Sequence, residues 1–139
     1  MKNIFKIDSY NTKLSVGLLL VRLVVGLAFM VHGWDKIQAP MSWMGPEGPH
    51  GILQALAAIS EFGGGLAWIL GVLFPLSSLG IACTMVVATH LHAIVLGHPF
   101  VGKEGSYELA LVYLTISIMF ILTGPGKYSL DSKIFGSKN

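Results

Sequence analysis

The chain has 139 residues, 53% of them hydrophobic and only 12% charged, with a mean hydropathy of +0.70 and a formal net charge of +2. Soluble domains carry about 25% charged residues, so this composition excludes an ordinary soluble enzyme and points to one integral membrane domain over residues 1–139. The small net charge, without a basic run, excludes nucleic acid as a partner, and the single Cys83 excludes an internal disulfide, a CxxC redox pair and a Cys-rich metal site.

The first predicted span covers residues 14–33. Lys2 and Lys6 before an apolar stretch imitate a signal peptide, but the run is too long, contains Arg22 and has no A-x-A cleavage site. A loop rich in Pro, Gly, Met and Trp follows, with Trp34, Trp43 and Gly45-Pro46. The second span covers residues 51–73, Phe74-Pro75 breaks the chain, and the third span covers 76–96. Gly97-His98-Pro99 and Gly102 mark a turn before the fourth span, 105–123. Each approaches the ~20 residues that a helix needs to cross ~30 Å of hydrocarbon. Only helices can satisfy their own backbone there without closing a barrel. The expectation is an all-α bundle of four transmembrane helices. Gly124-Pro125-Gly126 ends the last span, and Ser129 is placed to cap a short interfacial tail over residues 130–135 that anchors to the membrane.

Lysine placement gives an orientation. Lys2, Lys6 and Lys13 precede the first span and Lys127, Lys133 and Lys138 follow the fourth, whereas the opposite loops hold only Lys36 and Lys103. Positive-inside reasoning puts both termini in the cytoplasm. The expected location is the bacterial cytoplasmic (inner) membrane, with the lipid bilayer as the first partner.

Every predicted span carries an ionisable residue: Arg22, Glu61, His90 and Glu108, with His32 near the end of the first. A charge at the bilayer centre costs about 2.5–3.5 kcal/mol or more, so such groups face a protein interior. Counting 1.5 Å per residue from the inner ends, Glu61, His90 and Glu108 lie roughly 18–22 Å up, Arg22 roughly 13 Å and His32 roughly 27 Å. Arg22 then reaches upward to Glu61. One face of the second span holds Gln54, Ala57, Ala58, Glu61, Gly64, Gly65 and Trp68, and one face of the first holds Arg22, Gly26, Phe29 and Gly33. His90 and His92 point roughly opposite ways, and the deeper His90 is taken as the inward one.

A charge-neutralising network that fixes helix order would account for Arg22 and Glu61 alone. Four ionisable groups with Trp68 exceed that need and favour a ligand or proton-handling site. Glu61, His90, Glu108 and Arg22 are the candidate catalytic residues, with Trp68, Phe29 and His32 as candidate ligand-binding residues. His32 and His90 as haem or metal ligands rest on spacing alone, so haem is disfavoured and no metal is expected. His50 and His98 read as surface loop residues.

Read together, these residues resemble the DoxX family of small four-helix membrane proteins. The likeness rests on Arg22 with Gly26 and His32-Gly33-x-x-Lys36, Glu61-x-Gly-Gly-Gly with Gly71, Ala88-x-His90, Glu108, and Gly124-Pro125-Gly126-x-x-Ser129-Leu130-Asp131. It implies a four-helix bundle associated with quinone-linked or thiol-linked redox chemistry. Some relatives are subunits of thiosulfate:quinone oxidoreductase, and others belong to membrane oxidoreductase complexes or quinone stress responses. The expected function is a quinone-interacting oxidoreductase or a subunit of a redox complex, with quinone as cofactor and a soluble or membrane redox partner subunit. Two alternatives stay open: a non-enzymatic assembly or anchoring subunit, and a small-molecule or proton pathway gated by Arg22 and Glu61. The glycines of the second span leave room for homo-oligomerisation.

Overall fold

The computed structural model describes residues 11–136, and these are helical with no strand. Lys2, Lys6 and Lys138, which carry part of the orientation argument, lie outside the described residues. Helix α1 is Thr12–Gln38, α2 is Gly51–Leu70, and α3 is Phe74–His90, which continues as a π-helical turn over Leu91–Val95. Helix α4 is Glu108–Thr123, and a short α5, Leu130–Phe135, closes the described chain. Three helices are long and apolar enough to cross a membrane: Thr12–Gln38, Gly51–Leu70 and Phe74–Val95. Helix α4 is equally apolar but shorter, at 16 residues.

Consecutive helices run antiparallel. Leu20, Val24, Leu27 and Val31 form an exposed stripe on α1, while Ser15, Leu18, Arg22, Val25, Gly26, Phe29 and Gly33 face inward. An apolar outer face with small and polar residues within is the pattern of a helix in lipid. Glycines set the closest approaches. A Cβ at Gly26 would lie 2.7 Å from the carbonyl oxygen of Gly65, and one at Gly33 would lie 2.6 Å from the Phe62 nitrogen. Gly64 instead accommodates Ile81 of α3, whereas Gly63 meets little beyond its own helix. Two glycines of the triplet therefore serve contacts within the chain.

The aromatic core lies in the half of the bundle nearest Arg22. Phe29, Trp68, Phe74 and Phe120 are buried, with Trp68 edge-on to Phe29 at 5.4 Å and to Phe120 at 4.8 Å between ring centroids. The Trp68 indole N–H donates to Ser78 Oγ at 3.0 Å, so the largest buried side chain also has its polar atom satisfied. Helix α2 ends at Gly71, whose φ of +65° is the left-handed cap that glycine favours. Leu73 follows at φ +48°, and the reversal into α3 takes only the three residues 71–73.

All four spans differ in extent from the sequence expectation: α2 stops at Leu70 and α4 starts at Glu108, each three residues inside its expected bound. Helix α1 runs on from Gly33 to Gln38, more than a turn into what reads as loop, and the α-helical part of α3 stops at His90. The tail forms as expected over Leu130–Phe135, and Ser129 Oγ accepts from the Ser132 N–H at 3.2 Å. It does more than anchor: Asp131 is buried against the turn between α2 and α3.

Candidate functional site

The ionisable residues fall into two groups at opposite ends of α1. Arg22 and Lys36 are 14 positions apart, about 21 Å along a helix.

At the first end, Arg22 is fully buried and four of its five guanidinium N–H groups donate to main-chain carbonyls. Nε donates to Trp68 O at 2.8 Å, Nη2 to Ile69 O at 2.9 Å, and Nη1 to Pro125 O and Tyr128 O, both at 2.9 Å. These are carbonyls at the end of α2 and in the turn after α4; Trp68 O also accepts from the Gly71 N–H at 3.2 Å. Asp131 completes the knot: its carboxylate accepts from Leu73 N–H at 3.0 Å and Phe74 N–H at 2.9 Å, the unpaired donors at the start of α3. The Asp131 N–H donates to Gly71 O at 2.9 Å. A Cβ at Gly71 would run into the Arg22 guanidinium, so the glycine is needed for space as well as for its positive φ.

At the second end, Lys36 Nζ meets both carboxylate oxygens of Glu61, at 2.7 and 2.6 Å. The Glu61 side chain is 6% exposed and that of Lys36 24%. The loop between α1 and α2 folds over this pair. Trp43 places its ring 4.6 Å from Lys36 Nζ and donates its indole N–H to Gln54 O at 3.0 Å. Buried Gln54 holds the loop from below, with Oε1 accepting from Met44 N–H and Nε2 donating to Pro49 O, both at 2.8 Å. Trp34 and Phe62, on α1 and α2 respectively, have ring centroids 5.7 Å apart. The result is a carboxylate and an ammonium held together beside the Trp43 ring.

This geometry corrects the expected pocket. Glu61 is paired with Lys36 and not with Arg22, which is spent on carbonyls at the other end of the bundle. His90 and Glu108 are exposed, and among the described residues their side chains make no hydrogen bond or ion pair. Phe29 and Trp68 pack against each other within the core and leave no slot between them. His32 is exposed, with its ring 6.5 Å from that of Tyr113. His92 is the inward histidine of the pair, and its Nδ1 lies 3.0 Å from Nδ1 of His98. The physical reason for the first correction is the extra turn of α1. Lys36 continues the face of Arg22, Gly26, Phe29 and Gly33 at i+3 from Gly33, so the signal was in the spacing. Trp43 and Gln54 were visible only as an interfacial tryptophan and a polar residue on the Glu61 face.

The comparisons with known proteins agree with this architecture. The DoxX family profile matches residues 17–98. The chain belongs to the DoxX family. It is 33% identical over 140 residues to a Bacillus subtilis protein named "Putative oxidoreductase CatD", covering 93% of this chain and 96% of the relative. It is 35% identical over 124 residues to the Inner membrane protein YqjF of Escherichia coli, covering 84% of this chain and 90% of the relative. An uncharacterized Haemophilus influenzae protein is 31% identical over 121 residues, 85% of this chain and 90% of the relative. No solved structure matches the chain at a significant level. This DoxX protein is an integral protein of the bacterial inner membrane, with its apolar helices in contact with lipid.

Proposed function

We propose that this DoxX protein is a single-domain, quinone-interacting component of a membrane redox system, working at the Lys36–Glu61 pair beneath Trp43. In this reading all four long helices span the membrane, with both termini cytoplasmic, and the pair lies in the outer half.

The observation that carries the reading is a charged pair that is buried yet incompletely used. An ammonium has three donors, and Glu61 takes at most two of them. Arg22, by comparison, has four of its five N–H donors on main-chain carbonyls and, among the described residues, meets no carboxylate side chain directly. A quinone becomes a quinol by taking up two electrons and two protons, so its site needs a flat apolar cradle and groups that exchange protons. Trp43, Trp34 and Phe62 supply aromatic surface, Lys36 a donor for a quinone oxygen, and Glu61 a proton acceptor and donor. The electrons come from a redox partner subunit, in keeping with the oxidoreductase name given to CatD.

The test is equilibrium binding of ubiquinone and menaquinone analogues to the purified protein in detergent, read by quenching of tryptophan fluorescence. Lys36→Ala and Glu61→Gln should each weaken binding at least tenfold, and His90→Ala and Glu108→Gln should change it little. Absence of binding by both quinone classes, with helical content intact, rejects the reading and favours an assembly or anchoring subunit.

A further inference from the structure

The third loop holds a feature that the quinone reading does not use. His92 lies in the π-helical turn Leu91–Val95, and His98 lies six residues on, at the start of the loop leading to α4. Both rings turn the same atom, Nδ1, toward one point, 3.0 Å apart. We propose that His92 and His98 form a binding site for a divalent transition metal of the Cu(II) or Ni(II) class.

Three properties of the segment support it. The first is chelate geometry. With metal–imidazole bonds of about 2.0–2.1 Å, two nitrogens at this separation subtend about 94° at the ion. That is the angle of a tetragonal or octahedral centre, whereas a tetrahedral one needs nitrogens about 3.3 Å apart. Imidazole in tetragonal geometry suits Cu(II) and Ni(II), which favours them over Zn(II).

The second is a scaffold that holds both rings. The His98 N–H donates to His92 O at 2.9 Å, so the two residues are tied through the main chain as well as through their rings. The five-residue π turn shifts His92 off the α-helical register, as π turns at functional sites commonly do. Gly105 lies flat on the His98 imidazole: a Cβ there would come within 2.5–2.9 Å of three ring atoms. Tyr107 N–H to Pro99 O at 3.4 Å and Glu108 N–H to Phe100 O at 3.1 Å close the loop onto α4.

The third is access. His98 lines an open hollow with Gly97, Pro99, Gly102, Lys103, Glu104 and Gly105, so water can take the remaining coordination positions. Two protein nitrogens with water make an exchangeable site.

Without metal, one Nδ1–H donates to the other Nδ1, which requires opposite tautomers in the two rings. A metal displaces that shared proton and uses both lone pairs. Binding therefore requires both imidazoles in their neutral form. Lys103 works against an incoming cation and Glu104 works for it.

The experiment uses untagged full-length protein in detergent, titrated with Cu(II) and Ni(II) against a competing chelator. One ion should bind per chain, and affinity should fall at least tenfold in His92→Ala and in His98→Ala. His90→Ala and His50→Ala should match the wild type, and Gly105→Ala should weaken binding by displacing the His98 ring. Electron paramagnetic resonance of Cu(II) on the wild-type protein should show superhyperfine coupling to two imidazole nitrogens, a readout independent of any variant's folding. Coupling to fewer than two, or undiminished affinity in His92→Ala and His98→Ala, overturns the proposal. Quinone binding is measured separately and can fail without affecting this outcome.

Discussion

The two ends of α1 each bury charge next to a helix terminus, and they do it differently. At the Arg22 end, four carbonyls take the guanidinium donors, and two amide donors take the Asp131 carboxylate. Each of these backbone groups lies where a helix stops or the chain turns. At the Lys36 end the charges face each other, side chain to side chain, under a loop that one glutamine holds in place. The first arrangement converts loose backbone ends into a closed fastening between α1, α2, α3 and the tail. The second joins α1 to α2 through a single ion pair with its ammonium partly exposed. An intramembrane charge is thus not by itself a mark of function: what separates the two ends is whether the charge is spent on backbone groups or on another side chain.

That contrast predicts unequal losses on mutation. The largest is expected for Arg22→Met, which strands the carbonyls of Ile69, Pro125 and Tyr128 and takes one donor from that of Trp68. Each unsatisfied buried polar group costs about 1–3 kcal/mol, so the variant should fail to give a monodisperse, cooperatively melting protein in detergent. Arg22→Lys, with three donors in place of five, should fold with a clearly lowered Tm. A wild-type melt for Arg22→Met would break the comparison at once. Gly71→Ala comes next. It forces an L residue to φ +65° and pushes a methyl group into the guanidinium, for a loss of about 2 kcal/mol or more on a denaturation curve. Asp131→Asn should cost about 1–2 kcal/mol, because one amide face still accepts from Leu73 N–H while its NH2 meets the Phe74 N–H. Retention of full stability by Asp131→Asn would mean that the cap geometry, and not its charge, holds the turn.

The sequence made the helices and their inward faces legible because those follow from hydropathy and from i, i+3, i+4, i+7 spacing. The predicted faces of α1 and α2 are the buried ones, including Arg22, Gly26, Phe29 and Gly33 on one and Gln54, Ala58, Glu61, Gly64, Gly65 and Trp68 on the other. Pairing across helices was less legible, since it depends on where each helix ends. Reading Asp35-Lys36 as loop removed Glu61's partner and left Arg22 as the nearest cation. The error in depth then carried over to His90 and Glu108, whose exposed side chains lie away from the pair. Asp131 was out of reach for a different reason. Nothing in the local sequence of a tail says that it will cap a helix 57 residues earlier, and only the packed bundle makes that contact.

The smallest expected effect on stability is the one that sharpens the comparison most. Lys36→Met alone leaves the Glu61 carboxylate desolvated without its cation, so the variant should be measurably less stable. Replacing both, Lys36→Met with Glu61→Met, removes two charges whose attraction roughly offsets their desolvation, and such exchanges are often neutral or stabilising. The double variant should therefore melt within about 1 kcal/mol of wild type, recovering what the single variant loses. Its quinone-analogue binding should nevertheless be abolished, because the aromatic rings of Trp43, Trp34 and Phe62 remain without the groups that meet the quinone oxygens. At the Arg22 end no such separation is available: Arg22 and Asp131 bond to backbone groups, so deleting both leaves the helix ends open and the losses should add. If the Lys36/Glu61 double variant is as unstable as Arg22→Met, the outer pair is a second fastening and the functional reading falls. If it is stable and inactive, folding and binding reside in different charges of the same bundle.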